Sequence, residues 1–286
     1  MAIMLVMSKG NIKINPPPPP VVTAPQPSSK YQGVKHTVLV MSGKGGVGKS
    51  TFSVNLSVTL AKKFKVGLID ADINGPDDPL LLGISKEKLV ANEKGIIPAS
   101  TKYGVKVISM AFMLPDDGTA VIWRGALRHK AIQQFLEDVF WDNADYVILD
   151  LPPGTGDEAL TVSQLVPQAD GIIIVITPQD VALLDARKAL DFASKLKLKV
   201  IGMVENMSGF VCPHCGKTTN IFKSGGAEEL CKRLGIPFLG RIPIHPEIVE
   251  NGDMGIPAVE ISDEIRKEFE NITSKVEEIL ENKISG

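Results

Sequence analysis

The chain has 286 residues, 44% of them hydrophobic and 22% charged, which is the composition of an ordinary globular protein with room for a large α/β core. Its 31 basic and 33 acidic residues leave a net charge of −2, so charge gives no reason to expect nucleic acid or an anionic membrane as a partner. No apolar run approaches the roughly 18 residues that a membrane span needs, and three cysteines, an odd number, argue against a disulfide framework. We therefore expect a soluble cytoplasmic protein.

The first 33 residues differ in composition from the rest of the chain. An unbroken run from Pro16 to Pro20 is followed by Pro25 and Pro27, and such segments adopt polyproline II or disordered conformations. We predict a disordered proline-rich tail over residues 1–33.

From residue 34 onward, short apolar runs alternate with stretches of helical periodicity. The predicted strands are residues 38–41, 66–70, 105–110, 146–150, 171–177, 200–205 and 238–241. The predicted helices include residues 51–63, 128–140, 181–196 and 227–234. The strand runs are apolar throughout rather than alternating, as expected for parallel strands covered on both faces. This alternation predicts a single α/β domain, residues 34–260, with a doubly wound, mostly parallel sheet.

The C-terminal segment, residues 261–286, has the pattern of an amphipathic helix. Its apolar residues recur at steps of three and four, at Ile261, Ile265, Phe269, Ile272, Val276, Ile279 and Leu280. Its polar face carries more Asp and Glu than Lys and Arg, whereas a membrane-surface helix is normally basic. We expect this helix to pack on the domain.

A glycine-rich loop follows the first predicted strand. Residues 42–51, S-G-K-G-G-V-G-K-S-T, match the phosphate-loop pattern G-x-x-x-x-G-K-[ST]. Glycines let backbone N–H groups converge on phosphate, and the helix start adds its positive dipole end. Lys49 can neutralise the β and γ phosphates of ATP, and the Ser50 hydroxyl can bind Mg²⁺. The predicted nucleotide-binding residues here are Gly43, Lys44, Gly45, Gly46, Val47, Gly48, Lys49, Ser50 and Thr51.

Carboxylates stand at the ends of two predicted strands, where doubly wound sheets bind their ligands. Asp70 and Asp72 follow one apolar run, and Asp150 ends another. Phosphoryl transfer needs carboxylates to hold a metal ion and to position water. Both strand ends therefore supply candidates, although Asp70, like Asp157 further along the chain, could simply cap a turn. The segment 151–157, L-P-P-G-T-G-D, is a candidate switch that senses the γ-phosphate.

Cys212 and Cys215 form a C-x-x-C turn, whose two thiolates can bind one soft metal ion or cluster. A redox pair of the thioredoxin type would lie at a helix start after a first strand, and this pair comes late in the chain. A zinc knuckle needs four ligands, and the chain has no second C-x-x-C. Cys231 lies in a predicted helix without a partner, and we predict that it is a buried structural thiol.

The second lysine of the phosphate loop, Lys44, gives the loop the form K-G-G-x-G-K-[ST]. This form resembles the deviant Walker A loop of MinD-like ATPases, arsenite-pump ATPases and the nitrogenase iron protein. The resemblance implies a homodimer in which Lys44 reaches the partner's nucleotide. It implies catalytic roles for Lys44, Lys49 and Asp72, with Asp72 near the attacking water. Asp150 would bind Mg²⁺ through water.

The same resemblance implies the residues around the adenine base. Asn206, at the end of a predicted strand, would read the base, although an ordinary turn asparagine is the alternative. Pro243, in the stretch R-I-P-I-H-P, would line the other wall of the pocket. His245 departs from the acidic residue expected at its position, so its role stays open.

Four motifs occur in order over residues 34–260: K-G-G-x-G-K-S-T, D-A-D-I-x-G-P-D at 70–77, L-P-P-G-T-G-D at 151–157, and E-N-M-S-G-F-x-C-P-x-C-G at 205–216. Together they resemble the Mrp family of ATP-binding iron–sulfur cluster carriers, which includes the ApbC proteins and the cytosolic assembly scaffolds. The last motif is the specific one, because MinD-like and arsenite ATPases lack it. Asp77 departs from the family, whose members usually have Ser there.

The Mrp resemblance implies a homodimer that binds a labile [4Fe–4S] cluster on Cys212 and Cys215 of both subunits. Such a carrier would pass its cluster to apo-proteins and hydrolyse ATP weakly, and zinc is the alternative occupant of the cysteines. The second hypothesis is a MinD/ParA-like regulatory or positioning ATPase with structural zinc, and the third is a small-molecule kinase. The acidic C-terminal helix and the near-neutral charge count against the second. The expected partners are therefore a second copy and apo-proteins, without nucleic acid or membrane.

Overall fold

The computed structural model describes residues 33–72, 75–113, 133–134, 137–166, 169–212, 215 and 217–282. The strands are β1 (His36–Met41), β2 (Val66–Asp70), β3 (Val90–Asn92), β4 (Gly95–Ile97), β5 (Ala99–Ser100), β6 (Val105–Ser109), β7 (Tyr146–Asp150), β8 (Gly171–Ile176), β9 (Val200–Val211), β10 (Thr218–Thr219) and β11 (Phe238–Ile244). The α-helices are α1 (Lys49–Ala61), α2 (Asp78–Leu81), α3 (Asp157–Leu165), α4 (Asp180–Lys195), α5 (Gly226–Leu234), α6 (Pro246–Asp253) and α7 (Asp263–Glu281). Two 3₁₀ helices span Met110–Met113 and Ala258–Glu260.

Nine of these strands form one sheet in the order β10-β9-β8-β1-β7-β2-β6-β5, with β11 paired to β9. The central strands are all parallel, whereas the short strands β5 and β10 pair antiparallel to their neighbours. Strands β3 and β4 form a separate two-stranded hairpin. The prediction of an α/β fold with a mostly parallel sheet is confirmed.

Two hydrophobic layers cover the two faces of the sheet. Successive side chains of a strand point to opposite faces, so Leu39 and Met41 of β1 enter one layer while Val38 and Val40 enter the other. Helices α3, α4 and α5 contribute to the first layer, and α1 and α7 to the second. The sheet is therefore covered by helices on both sides, as a doubly wound fold requires.

Helix α7 begins at a Ser262 N-cap, whose hydroxyl accepts a hydrogen bond from the Ile265 amide at 3.4 Å. Its buried side chains are Ile265, Phe269, Ile272, Thr273, Val276 and Leu280. The Phe269 ring stacks on Phe52 of α1 with centroids 5.7 Å apart. None of the helices in the described part of the chain is long and apolar enough to cross a bilayer.

Some predicted boundaries were wrong. Strand β9 does not end at Glu205 but continues to Val211, so Asn206 lies inside a strand. Most of the helix predicted over residues 128–140 lies outside the described residues, but its last part is not helical, because Val139 bridges to Ile96. The proline-rich segment, residues 1–33, lies outside them except for Gly33.

Candidate functional site: a nucleotide cradle and a cysteine hairpin

The phosphate loop connects β1 to α1 at the carboxyl end of the central strands. Gly46 and Gly48 have left-handed backbone, with φ of 75° and 80°, and Gly48 is the N-cap of α1. A Cβ atom at Gly48 would collide with the Asn206 amide nitrogen, and one at Gly43 would approach Asp185 Cβ to 2.5 Å. Glycine is therefore required at position 48 by both close packing and conformation, and at position 43 by close packing.

Asp150, at the end of β7, is the centre of a buried hydrogen-bond network. Its Oδ2 accepts from Lys49 Nζ at 2.5 Å and from the Ser50 hydroxyl at 2.7 Å, and its Oδ1 accepts from the Ser53 hydroxyl at 2.6 Å. Lys49 and Ser50 begin α1 and Ser53 lies about one turn further along it, so the start of one helix presents all three donors to one carboxylate. Asp150 thus joins β7 to the phosphate loop.

The charge of Lys49 is retained despite its burial. Burial alone would lower the pKa of Lys49, but the adjacent Asp150 carboxylate, assisted by Asp78 and Asp70, outweighs burial and raises that pKa. A lysine that stays protonated in a buried cradle can neutralise phosphate oxygens as soon as they enter.

Two more carboxylates lie beside Asp150. Asp70 of β2 is the register partner of Asp150 on β7, and Asp78 begins α2. Burial, together with the charge of Asp150, raises the pKa values of Asp70 and Asp78 well above the usual range. Asp70 accepts a hydrogen bond from the Ser109 hydroxyl at 3.0 Å. The structure therefore gives Asp70 a buried position in the site, where its Oδ1 also accepts a hydrogen bond from the Asp72 amide at 3.2 Å.

Above the loop, a cavity of about 460 Å³ contains the candidate phosphate site. Its lining includes Gly45, Gly46, Lys49, Ser50, Asp72, Asp77 and Pro153. Burial and the neighbouring Asp72 raise the pKa of Asp77. The candidate switch segment contacts the loop, because the Gly154 amide donates to the Ser42 carbonyl at 2.9 Å. Asp157 is exposed in the first turn of α3, away from this lining.

A second, mostly apolar cavity of about 190 Å³ adjoins the first. It is lined by Thr51, Asn206, Met207, Phe222, Pro243, Ile244, His245 and Val249, among others. The Asn206 side-chain amide donates to the Val47 carbonyl at 2.8 Å, and Asn206 pairs in register with Ile242 of β11. The two residues predicted for the base pocket, Asn206 and Pro243, therefore line one cavity. Gly48 and Thr51 line both this cavity and the phosphate cavity. His245 lines it as well.

The donor set fits Mg²⁺, which prefers hard oxygen ligands. Ser50 lines the phosphate cavity, and its hydroxyl donates a hydrogen bond to the buried Asp150 carboxylate. Lys49 Nζ is 3.4 Å from the same hydroxyl. A metal ion at Ser50 and the charge of Lys49 could therefore neutralise the same phosphate group from neighbouring positions.

The cysteine pair is in the loop of the β9–β10 hairpin. The Cys212 amide donates to the Lys217 carbonyl at 3.0 Å, and Val211 pairs with Thr218, so the motif caps the hairpin. Cys212 is half-buried and Cys215 is exposed, and neither is in a disulfide. Cys231, in contrast, is buried in α5, where burial raises its pKa to about 11. Its prediction as a buried thiol is confirmed.

Strand β9 is anchored between the two sites. The buried Glu205 carboxylate accepts hydrogen bonds from the Ser208 hydroxyl at 2.5 Å and from the amides of Gly225 and Ala227 at 2.8 and 2.7 Å. These contacts tie β9 to the start of α5. Asn206 therefore lies in a strand that is fixed at its middle and leads from the base cavity to the cysteine loop, where Cys212 directly follows its last residue, Val211.

A protein-family profile described as "ParA: NUBPL iron-transfer P-loop NTPase" matches residues 33–277. The chain belongs to this family. It is 48% identical over 251 residues to an iron–sulfur cluster carrier protein of Methanocaldococcus jannaschii, covering 87% of both chains. It is 49% identical over 228 residues to a cytosolic Fe–S cluster assembly factor of Eremothecium gossypii, covering 78% of this chain and 68% of the other. The resemblance seen in the sequence motifs is confirmed.

Solved structures place the fold of this NUBPL-type NTPase among nucleotide-binding proteins. An Archaeoglobus fulgidus nucleotide-binding protein in complex with ADP superposes with a TM-score of 0.71 at 40% identity, covering 79% of this chain and 88% of that one. The cell division ATPase MinD of Pyrococcus furiosus superposes with a TM-score of 0.64 at 23% identity, covering 86% and 100%. The predicted MinD-like fold is confirmed.

Two residues of this NTPase site were missed by sequence reasoning. Ser53, which bonds Asp150, lies one helical turn after Ser50, so helical spacing could have found it. Asp78 follows Pro76 and Asp77 in a polar stretch that carries no signal of burial, and only the fold brings it under the loop.

Proposed function

We propose that this protein is a homodimeric, ATP-binding carrier of a labile [4Fe–4S] cluster, which two subunits hold on Cys212 and Cys215 and pass to cytoplasmic apo-proteins. The observation that carries the proposal is the cysteine pair on the hairpin at the end of β9, the strand that also lines the base cavity. Cys215 is exposed, Cys212 is half-buried, and neither is in a disulfide. Relatives named as cluster carriers and assembly factors support it.

The number of available thiols supports a site shared between subunits. Cys231 is buried and its thiol contacts the Pro237 carbonyl at 3.7 Å, which leaves one chain with two cysteines at the surface. A four-iron cluster takes four thiolates. A two-fold axis near the hairpin would supply them as two pairs. A cluster held this way loses half of its ligands when the dimer opens, which makes it transferable.

The nucleotide chemistry of the proposal uses the cradle described above. The N–H groups of the phosphate loop and Lys49 would hold the phosphates, and Ser50, with Asp150 through water, would hold Mg²⁺, which screens the β and γ charges. Asp72, in the lining of the phosphate cavity, would orient the attacking water, and Lys44 would act across the dimer.

Coupling between nucleotide and cluster would run along β9. Asn206 contacts the phosphate loop through the Val47 carbonyl, and Cys212, six positions later, directly follows the last residue of β9. Six residues of extended chain span roughly 20 Å. Between them, Met207 and Gly209 have left-handed backbone, with φ of 56° and 82°. A change in the loop on nucleotide binding would therefore be transmitted to the hairpin through an irregular strand segment.

The test is anaerobic reconstitution of the full chain with iron and sulfide. We expect the wild type to bind one [4Fe–4S] cluster per dimer and to transfer it to an apo-protein acceptor. The double variant Cys212→Ser/Cys215→Ser should bind none, and Cys231→Ala is the matched control, which should load like the wild type. Equal loading of the double variant, or no cluster in the wild type, would contradict the proposal. Stoichiometric zinc in protein isolated without oxygen would favour the regulatory ATPase instead.

A further inference from the structure

Three carboxylates meet beneath the phosphate cradle, those of Asp70, Asp78 and Asp150. Each side chain is at most 1% exposed. One oxygen from each carboxylate lies within 4.8 Å of the others. This spread is what one ion can span with ligand distances of about 2.0–2.4 Å, the range for magnesium, manganese and calcium.

The three carboxylates differ in how they are satisfied. Asp150 has Lys49 and three hydrogen bonds, and Asp70 accepts from Ser109 and from the Asp72 amide. Neither oxygen of Asp78 has a hydrogen-bond partner among the described residues, although both are buried. Within those residues, Lys49 is the buried cation that faces the group. Three carboxylates thus share one lysine.

An unpaired buried carboxylate is costly, and among the described residues the only buried cation near Asp78 is Lys49, which Asp150 already engages. The side chain is not in solvent, it does not cap its own short helix, and it does not line the phosphate cavity. A bound divalent cation would stabilise this group of three carboxylates, because it neutralises their negative charge and can be coordinated by an oxygen of each.

We infer that Asp70, Asp78 and Asp150 form a divalent-cation site that fills in the absence of nucleotide. The expected ion is a hard, oxygen-preferring one such as Mg²⁺ or Mn²⁺. The site goes beyond the proposed function, because it needs neither ATP nor a cluster. Asp78 distinguishes it from a magnesium ion held by Ser50 and the phosphates, since Asp78 lies below the cradle and not in its lining.

The inference is tested on the full chain, freed of nucleotide and treated with chelator. Mn²⁺ is titrated in, and the free ion is followed by electron paramagnetic resonance. We expect one tight Mn²⁺ per chain, displaced by Mg²⁺, and at least about tenfold weaker binding by Asp78→Asn. Glu87→Gln is the matched control. It removes one carboxylate charge from an exposed side chain outside the group and outside the lining of the phosphate cavity, and should change Mn²⁺ affinity less than about twofold.

Thermal unfolding separates loss of the site from loss of the fold. Because Asp78→Asn removes repulsion between buried carboxylates, the Tm of this variant after chelator treatment should be no lower than that of the wild type treated in the same way. Mn²⁺ should raise the Tm of the wild type and of Glu87→Gln, but not that of Asp78→Asn. If Asp78→Asn does not fold, Asp70→Asn is the second variant, with the same expected loss of Mn²⁺ binding. Absence of Mn²⁺ binding until ATP is added, or equal affinity in wild type and folded Asp78→Asn, would overturn the inference. Neither result depends on cluster reconstitution.

Discussion

Gly46 and Gly48 have nearly the same left-handed backbone in the phosphate loop, but their surroundings differ. A Cβ atom at Gly46 would have no atom within 4 Å, whereas one at Gly48 would collide with the Asn206 side-chain amide. That amide is bonded to the Val47 carbonyl. A side chain at Gly48 therefore has to displace Asn206, and with it the contact between β9 and the loop.

This pair gives a prediction for the nucleotide-free protein. Gly46→Ala should lose about 1 kcal/mol of unfolding free energy from backbone strain alone. Gly48→Ala should lose the same strain energy and about 1–2 kcal/mol more, because the Asn206 hydrogen bond is broken. Urea unfolding followed by circular dichroism measures both. Equal losses in the two variants would mean that Asn206 does not restrain the loop.

At the residue scale, the sequence predicts best where chemistry dictates local spacing. The phosphate-loop residues and Asp150 were found because a phosphate cradle requires that order of types within a few positions. Asp70 was left undecided, since a carboxylate after a strand can cap a turn or enter a site. Its role became visible only through the register that aligns it with Asp150 across β2 and β7.

At the element scale, helix α7 shows how far periodicity reaches. Its apolar positions were predicted in the sequence, and Ile265, Phe269, Ile272, Val276 and Leu280 are all fully or almost fully buried. Ile272 packs so closely on β11 that a Cβ at Gly240 would come within 2.7 Å of it. The helix is therefore a part of the core on the face of the sheet that also contains α1.

Truncation of Ile272 tests that contribution. Ile272→Ala should lower the free energy of unfolding by about 2–5 kcal/mol, because it leaves a cavity between α7 and β11. Glu270→Ala, on the exposed face of the same helix, should change it by no more than about 0.5 kcal/mol. Chemical denaturation of both variants gives the comparison. A loss below about 1 kcal/mol for Ile272→Ala would show that α7 is only loosely attached.

The same scale shows why other elements escaped prediction. The central parallel strands are continuous apolar runs, and those are easily recognised. Strand β9 extends beyond Glu205 through Asn206, Ser208 and Gly209, where the apolar run has ended. Pairing with β10 and β11 keeps that part extended, and pairing between distant segments leaves no local pattern.

At the scale of the whole molecule, the carboxyl ends of β1, β2 and β7 bring the loop, Asp70 and Asp150 to one edge of the sheet. Lys44 differs from the other loop residues because its role in one chain is through its backbone. Its carbonyl accepts a hydrogen bond from the Ser42 hydroxyl at 2.8 Å, which shapes the loop without the lysine side chain. Lys44→Ala should therefore keep the loop conformation and nucleotide affinity.

The proposed dimer predicts a specific defect of that variant. Lys44→Ala should bind ATP within about threefold of wild type. It should hydrolyse ATP at least about tenfold more slowly, because the positive charge that stabilises the transferring phosphoryl group is lost. Lys86→Ala, an exposed lysine outside the loop, is the control and should hydrolyse ATP normally.

Mixing variants decides whether Lys44 acts across the dimer. In a heterodimer of Lys44→Ala and Asp72→Asn, one site combines Asp72 of the first subunit with Lys44 of the second, so both groups are intact there if Lys44 acts in trans. Equal mixing makes about half of the dimers heterodimers with one such site each, so we expect about a quarter of wild-type activity from two nearly inactive proteins. If the lysine acts within its own chain, no site in any dimer is complete. A mixture as inactive as its components would then contradict a dimer in which Lys44 of each subunit acts on the nucleotide of its partner.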